Sequence, residues 1–203
     1  MNECLLHPFG FDLHRGDHCK TTQKRVASFK ISPMIGIPQV DEAAPYYFRY
    51  IDLVSDGNVL QVLRAQLEEA LSLFSGISEE KSLHRYQPDK WSIRELLGHV
   101  NDAERVFSFR ALSFARGDNA PLPSFDEKAW APQARADDHT WASHLEDFQA
   151  VRLATLTMMR NFSPEAWMRR GVASDNSISV RALAFILAGH VTHHLNVLRE
   201  KYL

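Results

Sequence analysis

Near the end of the chain stand Gly189-His190-Val191-Thr192-His193-His194, in a sequence of 203 residues that carries ten histidines. On a helix, His190 and His194 are one turn apart and about 40° from each other around the axis, so both imidazoles can converge on one metal ion. The apolar residues Val180, Leu183, Ala184, Leu187, Val191, Leu195 and Leu198 define the buried face of that helix. His194 falls about 50° and His190 about 90° from its centre, on the same flank, while His193 falls about 150° away and faces water. Two ligands leave a zinc or nickel site short of at least one more. His99, in Gly98-His99-Val100, lies about 90° from the centre of its own helix's apolar stripe, at the edge of a core. Three imidazoles from two helices can then make an open facial site. A lone histidine at a core edge is ordinarily hydrogen-bonded structure; the spacing of the pair raises the metal reading.

The elements that must position these residues are helices. Val59, Leu60, Val62, Leu63, Leu67, Ala70, Leu71 and Phe74 recur at helical spacing, and Gly76 follows as a stop. Ser92 with Glu95 three residues on is a capping box opening a second helix, whose stripe runs from Ile93 through Phe114 to a stop at Gly117. Residues 118–137 form a long connection rich in Pro and Ala. A third helix is expected over about 139–161, a short turn capped by Ser163 through Trp167, a polar loop over 171–177, and a last helix over about 179–202. With no convincing strand and no repeat, the chain reads as an all-α four-helix bundle with a long crossover connection, spanning 46–203.

Residues 1–45 show no sustained period and read as an irregular N-terminal extension. Cys4, His7, His18 and Cys19 lie there, but their spacing matches no compact zinc pattern. Composition excludes other classes. Lys and Arg total 23 against 25 Asp and Glu, for a formal charge of −2, which removes the case for nucleic-acid binding. No stretch approaches the ~18–20 apolar residues of a membrane span, and no secretory signal opens the chain, so a cytoplasmic protein is expected. There is no Gly-x-Ser-x-Gly elbow and no phosphate-cradling glycine loop.

Trp91-Ser92-Ile93-Arg94-Glu95-Leu96-Leu97-Gly98-His99, then Asp102-Ala103-Glu104-Arg105, then Pro123-Ser124-Phe125-Asp126-Glu127 and finally His190-x3-His194 form an ordered set. The set resembles the DinB/YfiT-like superfamily over roughly residues 46–203. The resemblance implies a four-helix bundle, often a homodimer, holding a divalent metal, zinc or nickel first, on His99, His190 and His194. It also implies an enzyme, first a thiol S-transferase that joins a low-molecular-weight thiol to a small electrophile. A metal-dependent hydrolase with the same ligands is the second expectation, and a non-catalytic metal- or ligand-binding stress-response bundle the third.

A hydrolase would also want a general base beside the water. Asp102, one turn after His99, is the expected catalytic carboxylate, although it sits about 150° from the stripe centre; Glu104 is also at hand. Asp126 and Glu127 on the long connection are placed to approach the open side, with Phe125 and Trp130 either rimming it or packing the bundle end.

Overall fold

The computed structural model describes residues 35–203. The cysteines and histidines of the expected extension lie outside the described residues. The chain runs α1 (Phe48–Ile51), α2 (Val59–Ser75), α3 (Ile93–Ala115), α4 (Glu127–Ala134), α5 (Trp141–Met159), α6 (Pro164–Met168), β1 (Arg170–Ala173), β2 (Asn176–Ser179) and α7 (Val180–Val197). The four long helices α2, α3, α5 and α7 form the expected bundle. α2 and α3 each pack on both α5 and α7, so α2 stands diagonally from α3, and α5 from α7. No described helix is long and apolar enough to cross a membrane.

Local chemistry sets the helix starts. Ser92 Oγ accepts from Glu95 N at 3.0 Å while Glu95 Oε2 accepts from Ser92 N at 2.8 Å, completing the capping box. Thr140, Ser163 and Ser179 cap α5, α6 and α7. α7 ends in a π-helical turn, Leu198–Tyr202, within the span expected for the last helix. It is the axis of the core: Val180 and Ala182 through Ala188 are all at most 2% exposed. Burial extends beyond the expected stripe because α1 covers a second side of α7.

The segment read as a polar loop is instead a β-hairpin, paired Arg170↔Ser179 through Ala173↔Asn176. Its two turn residues, Ser174 and Asp175, have φ of 50° and 61°, the primed-turn conformation that matches strand twist. The turn lacks the glycine that usually marks it, and only Val172 and Ile178 supply strand-like side chains, so the pattern was too short to read. The crossover contains α4, capped by Asp126, and Leu122 pairs with the hairpin through Leu122 N to Val172 O and Ser174 N to Leu122 O.

Residues 35–44 were read as the end of the extension, yet they pack on the start of α7. Glu42, 2% exposed, accepts from Gln39 N at 2.8 Å, Ser179 Oγ at 2.7 Å and Arg181 Nε at 3.0 Å. Burial pushes its carboxyl up, but these hydrogen bonds, Arg181 first, outweigh burial and hold its pKa below the ordinary glutamate value.

A group with a depressed folded pKa stabilises above its unfolded pKa and loses that contribution as pH falls through the folded value. Glu42→Gln is therefore expected to melt lower than wild type at pH 7. The gap should narrow as pH drops from about 5 to 3, read by thermal denaturation across that range. A second test concerns the contact of α1 with α7. A Cβ on Gly189 would lie 2.0 Å from the Tyr50 carbonyl oxygen, an atom of backbone that cannot swing aside. Gly189→Ala is expected to cost about 3 kcal/mol or more by denaturant titration.

Candidate metal centre

α7 carries His190 and His194 one turn apart, and α3 brings His99 against them. His190 Nε2 lies 3.1 Å from His99 Nε2 and 3.1 Å from His194 Nε2, and all three ligand atoms fall within 4.8 Å of one another. A neutral imidazole nitrogen has a single lone pair, so His190 Nε2 cannot serve both neighbours as a good acceptor. The arrangement is that of three potential ligand nitrogens gathered in one place. Two nitrogens each ~2.1 Å from one ion can stand at most ~4.2 Å apart, so both 3.1 Å separations are short enough for a shared metal.

Aromatic edges hold the rings. Tyr50 packs edge-on against His190 with centroids 5.3 Å apart, and Trp91 lies over His99 at 4.9 Å. His194 Nδ1 is buried with no hydrogen-bond partner. Burial lowers the pKa of His99 to about 4, with Glu127 the one group pulling it upward. Burial, then repulsion among the imidazoles, holds His190 and His194 well below the ordinary histidine value. At neutral pH all three rings are uncharged donors, the protonation state a metal requires. His193 is exposed, as its helical angle predicted. His144 is a structural histidine, its Nε2 2.9 Å from the Ala136 carbonyl oxygen.

A cavity of about 180 Å³ opens beside the trio, lined by His99, His190, Tyr47, Arg110, Phe125 and Glu127 among others. Glu127, the first residue of α4, also lines a narrow cleft with His99 and Asp102. Asp102 thus borders His99 but not the cavity that His99 shares with His190. Burial raises its carboxyl pKa against the pull of Arg105, 3.9 Å away. Glu104 is not free for chemistry: it is sealed against Arg152, 2.8 Å away, with both side chains at most 2% exposed. Asp126 is occupied as the cap of α4, while Phe125 lines the cavity with Trp130 stacked beside it at 5.3 Å. A second groove of about 360 Å³ runs along His194, past Lys90, Trp91, Lys128 and Tyr202.

The sequence reading missed Tyr47, Tyr50, Arg110 and Ser174. Arg110 lies within the expected second helix, and the tyrosines precede the first long helix. Their only signal was a cluster of aromatics, Tyr46, Tyr47, Phe48 and Tyr50.

Among solved structures, the chain is similar to YfiT from Bacillus subtilis, described as "a probable metal-dependent hydrolase with an unusual four-helix bundle topology". The TM-score is 0.62 at 18% identity, over 70% of this chain and 82% of that one, a likeness of fold. In sequence it is 25% identical over 123 residues to an Oceanobacillus iheyensis protein named "putative metal-dependent hydrolase", covering 60% of this chain and 70% of that one. The model of the DinB superfamily matches residues 62–198, from α2 through the last imidazole, and the chain belongs to that superfamily.

Proposed function

We propose that this chain is a metal-dependent enzyme that holds a divalent ion, zinc or nickel, on His99, His190 and His194 and directs a nucleophile at a small electrophile. The observation that carries the reading is the gathering of the His99, His190 and His194 imidazole nitrogens within 4.8 Å of one another. The bound ion supplies positive charge that lowers the pKa of a thiol or water in its open position, to about 7 for water on zinc.

Thiol S-transfer is the reaction this arrangement supports best, because two separate spaces reach the trio. The 180 Å³ cavity meets His99 and His190, and the 360 Å³ groove meets His194, which suits a thiol cosubstrate and an electrophile arriving from different sides. Glu127 takes the thiol proton. The sulfur forms a bond to carbon as an epoxide C–O or a carbon–halogen bond breaks, and Glu127 returns the proton to an opened oxygen. We give Glu127 this part because it lines the cavity with both His99 and His190. Asp102, beside His99 only, is the second candidate. Hydrolysis is the second reading: water replaces the thiol at the same site, in line with the names of both relatives.

Metal analysis of the purified full-length protein by mass spectrometry is expected to find about one divalent ion per chain. The triple variant H99A/H190A/H194A should hold none while staying helical by circular dichroism. A wild-type protein that takes up neither zinc nor nickel on titration overturns the proposal. Loss of free thiol on incubation with epoxides and alkyl halides supports transfer; release of acid from ester substrates without thiol supports hydrolysis.

Glu127→Gln is expected to lower kcat by about 10²–10⁴-fold with metal content unchanged, and Asp102→Asn by no more than a few-fold. The reverse ranking moves the proton-transfer part to Asp102.

A further inference from the structure

We propose that Arg110 is the receptor for a carboxylate group of the substrate, holding it in the cavity that His99 and His190 line. Four arginines on the described helices are at most 4% exposed or carry side chains nearly so: Arg94, Arg110, Arg152 and Arg181. Three are paired with carboxylates: Arg94 with Glu79, Arg152 with Glu104, Arg181 with Glu42. Arg110, 2% exposed, has no acidic side chain within 4.0 Å among the described residues. A buried guanidinium without a counter-ion is costly to keep, and this one is kept beside the candidate reaction centre.

Its surroundings hold it still without neutralising it. Nη2 donates to the Pro123 carbonyl oxygen at 2.7 Å and to Ser174 Oγ at 3.1 Å. Phe107 and Phe125 present their rings at 5.5 and 5.9 Å from the guanidinium carbon. These partners, and the Tyr47 hydroxyl that also faces the guanidinium, are neutral, and the planar fork has further donors to offer a carboxylate. Arg110 is the one Lys or Arg among the residues lining the cavity, which matches a monoanion rather than a phosphate dianion. Glu127 lines the same cavity, so a substrate carboxylate is favoured only at the Arg110 end. That polarity orients the substrate with its reactive end toward the imidazoles.

Only that orientation rests on the metal reading; the receptor stands on Arg110. The test uses mercaptoacetate, 3-mercaptopropionate and 4-mercaptobutyrate, each compared with its methyl ester, on the full-length protein. With cobalt(II) loaded, thiolate binding is read from the visible absorption of the ion. With metal-free protein, the same pairs are titrated by calorimetry. At least one acid should bind wild type ten-fold or more tighter than its ester, as for a charge-assisted pair. Arg110→Gln should remove the difference by weakening the acid and not the ester, and Arg110→Lys should restore part of it. Acid and ester binding alike to wild type, in a comparison that needs no variant, overturns the proposal. Failure of cobalt uptake with the preference intact in the metal-free arm sinks the metal reading and leaves the receptor standing.

Discussion

One buried ion pair holds the four helices in the register that the site requires. Arg152 on α5 meets Glu104 on α3 with Nε and Nη2 2.8–3.0 Å from its oxygens, and its Nη1 donates to Gln66 Oε1 and Leu63 O on α2. Gln66 in turn donates to Ala188 O and Thr192 Oγ1 on α7, at 2.8 and 2.9 Å. All four long helices are thus joined by one polar network in a dry interior. Apolar stripes tolerate sliding, since Leu against Leu is much the same one turn along; a turn of slip, about 5.4 Å, would leave a charge unpaired at a cost of ~3–5 kcal/mol. Glu104 lies five residues after His99, and Thr192 lies midway between His190 and His194. The lock that fixes α3 against α7 therefore also fixes where the three imidazoles meet.

A second constraint comes from pieces that are not long helices. α1 approaches α7 closely enough that only glycine fits at position 189, and this brings Tyr50 against His190. The hairpin, packed so tightly that a Cβ on Gly171 would meet the Phe114 ring at 2.1 Å, presents Ser174 to Arg110. The crossover delivers Pro123, Phe125 and Glu127 to the same space. The bundle supplies nitrogen donors, and the short elements supply the walls and charges of the cavity beside them.

This division explains what could be read in the sequence. The four long helices and the Ser92 capping box were legible because period and cap are local signals, and His99, His190 and His194 because helical angle fixes which flank a residue occupies. The hairpin was not, because its strands are four residues each and its turn, Ser174-Asp175, lacks the glycine that usually marks one. Nor was the seating of Glu42, whose partners Ser179 and Arg181 lie over 130 residues on. Glu104 and Asp102 looked equivalent as carboxylates on one helix. Only the partner on α5 separates them: Arg152 makes one a structural anchor and leaves the other at the margin of His99. Arg110 is the converse case: among the described residues it lacks the acidic partner that Arg94, Arg152 and Arg181 have.

The choice of imidazole fits the depth at which the site is built. His190 is 5% exposed, and a carboxylate there would have to be desolvated as an anion during folding, before any ion arrived to offset it. Neutral rings avoid that penalty, and the depressed pKa values show that burial itself keeps them neutral. The bundle can therefore fold around three convergent nitrogens using the Arg152 network and its apolar core alone, unlike small domains in which metal binding and folding are a single event. Were an ion to bind such a site, its binding free energy would go to affinity rather than to holding the chain together. The fold also sets two of the three imidazoles on the wall of the cavity where Glu127 and Arg110 stand with opposite charge.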